Sequence, residues 1–280
     1  MTTNSTLVVN FVQGDGGIGD IIKFYLHFAY ICNTITNSDI KVSFEEKYKT
    51  VQKYLIFDKE LLKLPNPSHT VTRVRISDFY RKGIDKVHEL AMNTNYHNWE
   101  NIPDVASEYR KIANNSFGFS PLVMSNYKKR LSVLKITQGE YVCFHLRQGD
   151  SSLESVPQRG HCSGDSRVNK IGIDNIIETM KETSRTLEGG FPVILLCDNS
   201  NIRTKIQNLI PTLLCIENSN PIHIAYEDFK TPLADKERDF EDTFSDFVML
   251  IESKRNYAFS YSGFSIISSF LGDVPMTKLY

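Results

Sequence analysis

The feature that most constrains this chain is a repeated alternation. Short β-branched and apolar runs are followed, again and again, by stretches whose apolar residues recur at helical spacing. In the second half, strands are expected at 141–146, 192–197, 213–217 and 257–261, and helices at 173–187, 202–209, 241–253 and 264–271. Such alternation implies parallel strands joined by crossover helices, an α/β architecture with both sheet faces covered. The first half has the same character. A run at 7–12 is closed by Gly14-Asp15-Gly16-Gly17-Ile18-Gly19, and then Ile21, Ile22, Tyr25, Phe28, Ala29 and Cys32 fall on a helical face. Further strands are expected at 40–44 and 70–76, and helical patterns near 47–57, 84–93 and 105–114.

A chain of 280 residues exceeds the size at which single cores usually stop growing, so two domains are expected. The polar, Gly- and Pro-containing segment NNSFGFSP leads into a basic amphipathic stretch at 127–134, which places the division between domains 1–135 and 136–280. Open α/β sheets bind ligands at the carboxyl ends of their strands, so two such domains in tandem suggest a cleft site.

Charge narrows the partners. With 32 basic and 33 acidic side chains, the net charge of −1 gives no global attraction for nucleic acid or an anionic membrane. An anionic ligand must be held locally. The acidic cluster at 235–242 reads as a solvated loop and helix start. Five widely spaced cysteines (Cys32, Cys143, Cys162, Cys197, Cys215), three of them in apolar strand-like runs, suggest a reducing compartment and no zinc site. The expectation is a cytoplasmic protein with no membrane span, since no apolar run approaches 18 residues and no basic n-region opens the chain.

Two motifs carry chemistry. Gly14-x-Gly16-x-x-Gly19 joins a strand to a helix, so the backbone N–H groups of Gly16 and Gly17 are placed to approach a phosphate. His145-Leu146-Arg147-Gln148-Gly149-Asp150 ends an apolar strand, which puts His145 and Arg147 on one side at its carboxyl end. Arginine suits an anion there because its planar fork clamps two phosphate oxygens and stays charged. The structural alternative is an Arg147–Asp150 pair beside a hydrogen-bonded core histidine.

With these motifs the chain resembles the fucosyltransferase-like GT-B glycosyltransferases. The shared features are the glycine-rich first turn GDGGIGD, the strand-ending HxRxGD motif HLRQGD, and the late turn Ser260-Tyr261-Ser262-Gly263-Phe264-Ser265, in an order that spans nearly the whole chain. The resemblance implies two Rossmann-like domains, with an acceptor side in 1–135 and a nucleotide-sugar site in 136–280. It implies that Arg147 holds the donor diphosphate, within a site that includes His145 and Asp150. Ser262, Phe264 and Ser265 then meet the phosphates at a helix N-terminus. Asp198 meets the base or ribose, and Asp246 is a weaker carry-over. Asp198 and Ser262 could each instead be a helix N-cap.

Gln148 stands where many members of the family carry a second arginine, which leaves the donor open between a GDP-sugar such as GDP-fucose and a UDP-pentose such as UDP-xylose. The resemblance also implies inversion, with a glycan hydroxyl as acceptor. No Asp-x-Asp dipeptide is present, so metal independence and no cofactor beyond the donor are expected. Asp15, in a short turn, is the favoured base, ahead of Asp20, Glu154, His161 and Asp165. An NAD-type Rossmann oxidoreductase would explain the glycine motif alone, and a non-catalytic nucleotide- or glycan-binding protein would use the same site without turnover.

Overall fold

The computed structural model describes residues 5–11, 17–30, 39–44, 49–57, 70–75, 103–147, 172–187, 189–217, 219, 221, 233–259 and 262–279. The chain divides into two compact units, Met1–Ser120 and Pro121–Tyr280.

In the first unit, β1 (Ser5–Phe11) pairs in parallel with β2 (Asp39–Phe44) on one side and β4 (Thr70–Arg75) on the other. Helix α1 (Ile18–Tyr30) follows β1 and buries Ile18, Ile21, Ile22, Tyr25, Leu26 and Ala29, the face expected from a period of 3.6. Its Tyr25 hydroxyl donates to Ser116 Oγ at 2.8 Å, fastening it to α3 (Pro103–Ser116). The stretch at 47–57 is not one helix. After the short α2 (Lys49–Gln52), Leu55–Phe57 forms β3, antiparallel to β5 (Phe117–Phe119). Leu55 and Phe57 face inward and Ile56 outward, and Phe57 packs on Tyr25, Phe44 and Phe117. A three-residue apolar run carries too few residues for its period to separate strand from helix. The helix expected at 84–93 lies outside the described residues.

The second unit opens with α4 (Pro121–Leu134), whose Pro121 takes the first helical position, where no N–H is needed. The sequence division at 135/136 falls one helix later than the division of the compact units. The reason is that α4 packs on α7 (Leu233–Ile251), so its buried face, Val123, Tyr127 and Arg130, belongs to the second core. The sheet has the order β7-β6-β8-β9, all parallel: β6 (Val142–Leu146) and β8 (Arg255–Ala258) at the centre, flanked by β7 (Val193–Cys197) and β9 (Met276–Lys278). Helices α5 (Ile173–Thr186), α6 (Ser200–Leu209) and α8 (Gly263–Gly272) complete the unit.

The strand expected at 213–217 shrinks to one bridge. Leu214 exchanges hydrogen bonds with Val193 and Leu195, and then the chain turns, with Ser219 N–H reaching back to the Ile216 carbonyl. The core joins Val142, Phe144 and Leu146 to Ile176, Met180, Leu195, Ile206 and Phe259. Cys143, Cys197 and Cys215 are buried and free, and burial pushes all three thiols up, away from the reactive thiolate. Helix α8 lies close on α7: a Cβ added to Gly272 would collide with the Ile251 carbonyl oxygen. Among the described residues, no helix is long and apolar enough to cross a membrane.

Candidate functional site

Strands β7, β6 and β8 end side by side. Leu146 pairs with Cys197 on one flank, and His145 pairs with Ala258 on the other. Arg147 and Asp198 therefore each occupy the first position beyond the paired rungs of neighbouring strands. The chain leaves β6 for β7 on one side and later arrives at β8 on the other, so the β6/β8 boundary is where crossover direction reverses. Open α/β sheets leave their ligand crevice at that switch point.

The turn after β8 delivers Ser262, Phe264 and Ser265 to this boundary. Ser262 caps α8, its side chain accepting from the Ser265 N–H at 3.3 Å. Ser265 Oγ lies 3.1 Å from Ser262 Oγ and 2.5 Å from His145 Nδ1. The imidazole stacks on Phe264 with centroids 5.3 Å apart, and Phe264 meets Phe247 edge-on at 4.9 Å. One hydrogen-bonded line thus runs from the end of β6 to the positive N-terminus of α8. Below, Asn256 Nδ2 donates to Ser269 Oγ at 2.8 Å and Ser253 Oγ to Asn256 Oδ1 at 2.8 Å, fixing α8 against β8.

Burial, helped by the neighbouring Arg147 charge, pushes the His145 pKa from 6.5 down to about 3. The imidazole is therefore neutral at physiological pH and orders the serine hydroxyls without adding charge. This has a consequence for stability. The unfolded chain takes up the His145 proton near pH 6.5 while the folded chain refuses it, so stability is complete above that pH and falls as pH drops toward about 3. The stability gap between the protein and a His145→Asn variant is expected to narrow from pH 6.5 to 4.5, by up to about tenfold in folding equilibrium per pH unit. Urea titrations at several pH values measure it, and a constant gap would show that His145 is no more shielded folded than unfolded.

Arg147 is partly exposed at the carboxyl edge, and among the described residues no carboxylate lies within ion-pair distance of it. Asp198 is also partly exposed and is not the helix cap; Asn199 takes that role, accepting from the Ile202 N–H at 3.0 Å. Ser262 is the cap of α8. Asp15, Gly16 and Asp150 lie outside the described residues. Gly17 is within them, and its N–H donates to Asp20 Oδ2 at 3.0 Å, the reciprocal half of a capping box at the start of α1. That N–H is thus directed at a carboxylate rather than offered to a phosphate.

Asp246, the weaker carry-over, lies in the interior. It is buried and paired with Arg130, which also donates to Asp242 Oδ1 at 2.6 Å and Ser219 Oγ at 3.3 Å. Asp242, read from sequence as part of a solvated cluster, is a buried ion-pair partner on the same face of α7.

The sequence matches no family model and no curated protein. The structure is similar to the Bradyrhizobium fucosyltransferase NodZ, with a TM-score of 0.56 at 10% identity, covering 99% of this chain and 96% of that one. It matches the NodZ α1,6-fucosyltransferase soaked with GDP-fucose with the same TM-score, over 98% and 94% of the two chains at 10% identity. A substituted Arabidopsis thaliana FUT1 in complex with GDP gives a TM-score of 0.59 at 10% identity, covering 100% of this chain and 72% of that one. The chain has a GT-B fold, shared with these solved structures. His145 and Ser265, from two motifs far apart in sequence, are 120 positions apart and hydrogen-bonded.

Proposed function

We propose that this GT-B chain is a glycosyltransferase that moves a sugar from a nucleotide-sugar donor to a hydroxyl of a glycan acceptor. The observation that carries the proposal is the convergence of Arg147, Ser262, Ser265 and the α8 N-terminus at the switch point of the second sheet. Each is a donor or positive pole suited to an anion, and together they suit a diphosphate. The named neighbours support this choice of ligand, since NodZ was soaked with GDP-fucose and FUT1 holds GDP.

In the reaction we assign, the acceptor hydroxyl attacks the anomeric carbon on the face opposite the nucleotide and inverts it. The bond to the diphosphate breaks with its electrons going to the leaving oxygen. Arg147 and the α8 N-terminus meet that growing charge, and a base, for which Asp15 is our candidate, takes the acceptor proton. With these groups supplying positive charge and no Asp-x-Asp dipeptide in the sequence, the transfer needs no divalent metal. The donor is a GDP- or UDP-sugar, with fucose or a pentose such as xylose as the transferred group.

The test is a thermal-shift panel of GDP, UDP and their sugars in EDTA. At about 100 times Kd, a ligand bound only by the folded state adds roughly 2.7 kcal/mol, which raises Tm by roughly 5–10 °C for a unit of this size. One diphosphate is expected to do so with metal chelated. A shift that vanishes in EDTA removes metal independence, and no shift with any member removes the donor reading.

A further inference from the structure

Behind the sheet edge lies a buried polar group that the reaction does not use directly. Arg203, on α6, is buried, donating from Nη1 to the Cys197 carbonyl at 3.3 Å and from Nη2 to the Ser219 carbonyl at 2.5 Å. Ser219 is buried too, and its hydroxyl receives Arg130 from the other side. The two cations Arg130 and Arg203 and the two carboxylates Asp242 and Asp246 surround this segment, so the buried charge is balanced.

This clamp brackets one residue. Cys197, immediately before Asp198, has its carbonyl held by Arg203. Asn199, immediately after, caps α6, and its own carbonyl accepts from the Arg203 N–H at 2.9 Å and from Cys197 Sγ at 3.5 Å. Asp198 therefore stands on a backbone fixed on both sides, with a partly exposed position at the carboxyl edge next to Arg147. A backbone held this way sets where the Asp198 carboxylate, a pair of acceptors, is carried. That carboxylate suits a neighbour rich in N–H or O–H donors, and the nucleoside of a nucleotide is such a neighbour, whereas a diphosphate beside it would be repelled.

We infer that Arg203 is a positioning residue for the nucleoside half of the donor, acting through the Cys197–Asn199 backbone to set Asp198, while the diphosphate half is held independently at Arg147 and the α8 N-terminus. The inference rests on the donor reading above and divides that site into two separately adjustable parts. Arg203 cannot itself serve the phosphates, because its two terminal nitrogens are committed to carbonyls in the interior.

The test compares whichever of GDP or UDP the wild type binds with inorganic pyrophosphate, which lacks the nucleoside. Arg203→Lys retains charge but cannot bridge two carbonyls in fixed geometry. Nucleotide affinity is expected to fall about tenfold while pyrophosphate affinity stays within about twofold. Asp198→Ala should give the same split, and adding Arg203→Lys to it should cost no further nucleotide affinity, because coupled residues are non-additive. If Arg203→Lys yields no folded protein, Arg203→Gln, which keeps a neutral donor, takes its place in the cycle. Equal losses for nucleotide and pyrophosphate, no loss for either, or additive losses in the double variant overturn the inference and leave the donor site standing. Failure of the wild type to bind GDP or UDP at all overturns the donor reading and the inference together.

Discussion

Arg147→Ala is expected to weaken donor binding by an order of magnitude or more and to slow turnover further, with little change in the melting temperature of the unliganded protein. Arg147 lies beyond the last paired rung of β6, partly exposed, so among the described residues removing it leaves no carboxylate without a paired cation. A charge-assisted and bidentate contact to a diphosphate is worth about 1.5–3 kcal/mol in binding. Turnover suffers more because negative charge on the diphosphate grows as the sugar leaves, and an interaction that strengthens in the transition state affects rate beyond affinity. Arg147→Lys should recover part of both, since it restores the charge without the planar fork. Isothermal titration with the nucleotide, kcat and KM, and an unliganded melt together decide the matter. An alanine variant that unfolds, or that keeps full affinity and activity, would make Arg147 a structural residue.

Arg130 predicts the opposite profile. It is 3% exposed and pairs with both Asp242 and Asp246, so Arg130→Met would leave two carboxylates in the interior without their cation. Breaking a buried pair in this way costs about 3–5 kcal/mol. Burial already pushes the Asp246 pKa up, with Arg130 opposing the rise, so removing Arg130 raises it further. A carboxyl with a raised folded pKa destabilises the protein above that pKa and ceases to do so as pH falls and it protonates. The loss in Arg130→Met should therefore be largest near neutral pH and shrink toward pH 5. Combining it with Asp246→Asn should recover part of the stability, because the remaining buried Arg203 and Asp242 again balance. Urea unfolding at several pH values tests this, and a small, pH-independent loss would contradict the ion-pair account.

These two arginines show what the sequence makes legible. Arg147 follows a run of five apolar or half-apolar residues that could only be a buried strand, and strand ends are where α/β sheets place ligands, so its position followed from local pattern. Helix α1 and the Ser262 cap of α8 are legible for the same reason: each stands where small residues lead into a periodic segment. Arg130 was hidden because its meaning depends on residues 112 and 116 positions away. A signal did exist. Arg130 shares a helical face with Val123 and Tyr127, and Asp242 and Asp246 share one with Met249 and Leu250, so charges fall on apolar faces. The acidic cluster at 235–242 favours a solvated reading, which does not hold for Asp242.

A hydrogen-bonded core histidine is one of the two sequence readings of His145, but its partner Ser265 is unreadable, since it depends on the register of β6 against β8. Asn256 shows the same limit: a polar residue inside β8 gains its role only from Ser253 and from Ser269 on α8. Short edges such as β9 and the β3–β5 pair escaped because three residues hold too little periodicity to be distinctive.

The most direct test of the central claim is a crystal structure of the protein soaked with GDP or UDP in the presence of EDTA. The account predicts the diphosphate at the carboxyl ends of β6 and β8, with phosphate oxygens within hydrogen-bond distance of the Arg147 guanidinium and of Ser262, Ser265 or the first N–H groups of α8. Phosphates bound instead against the glycine turn before α1, with the Arg147 edge empty, would contradict it.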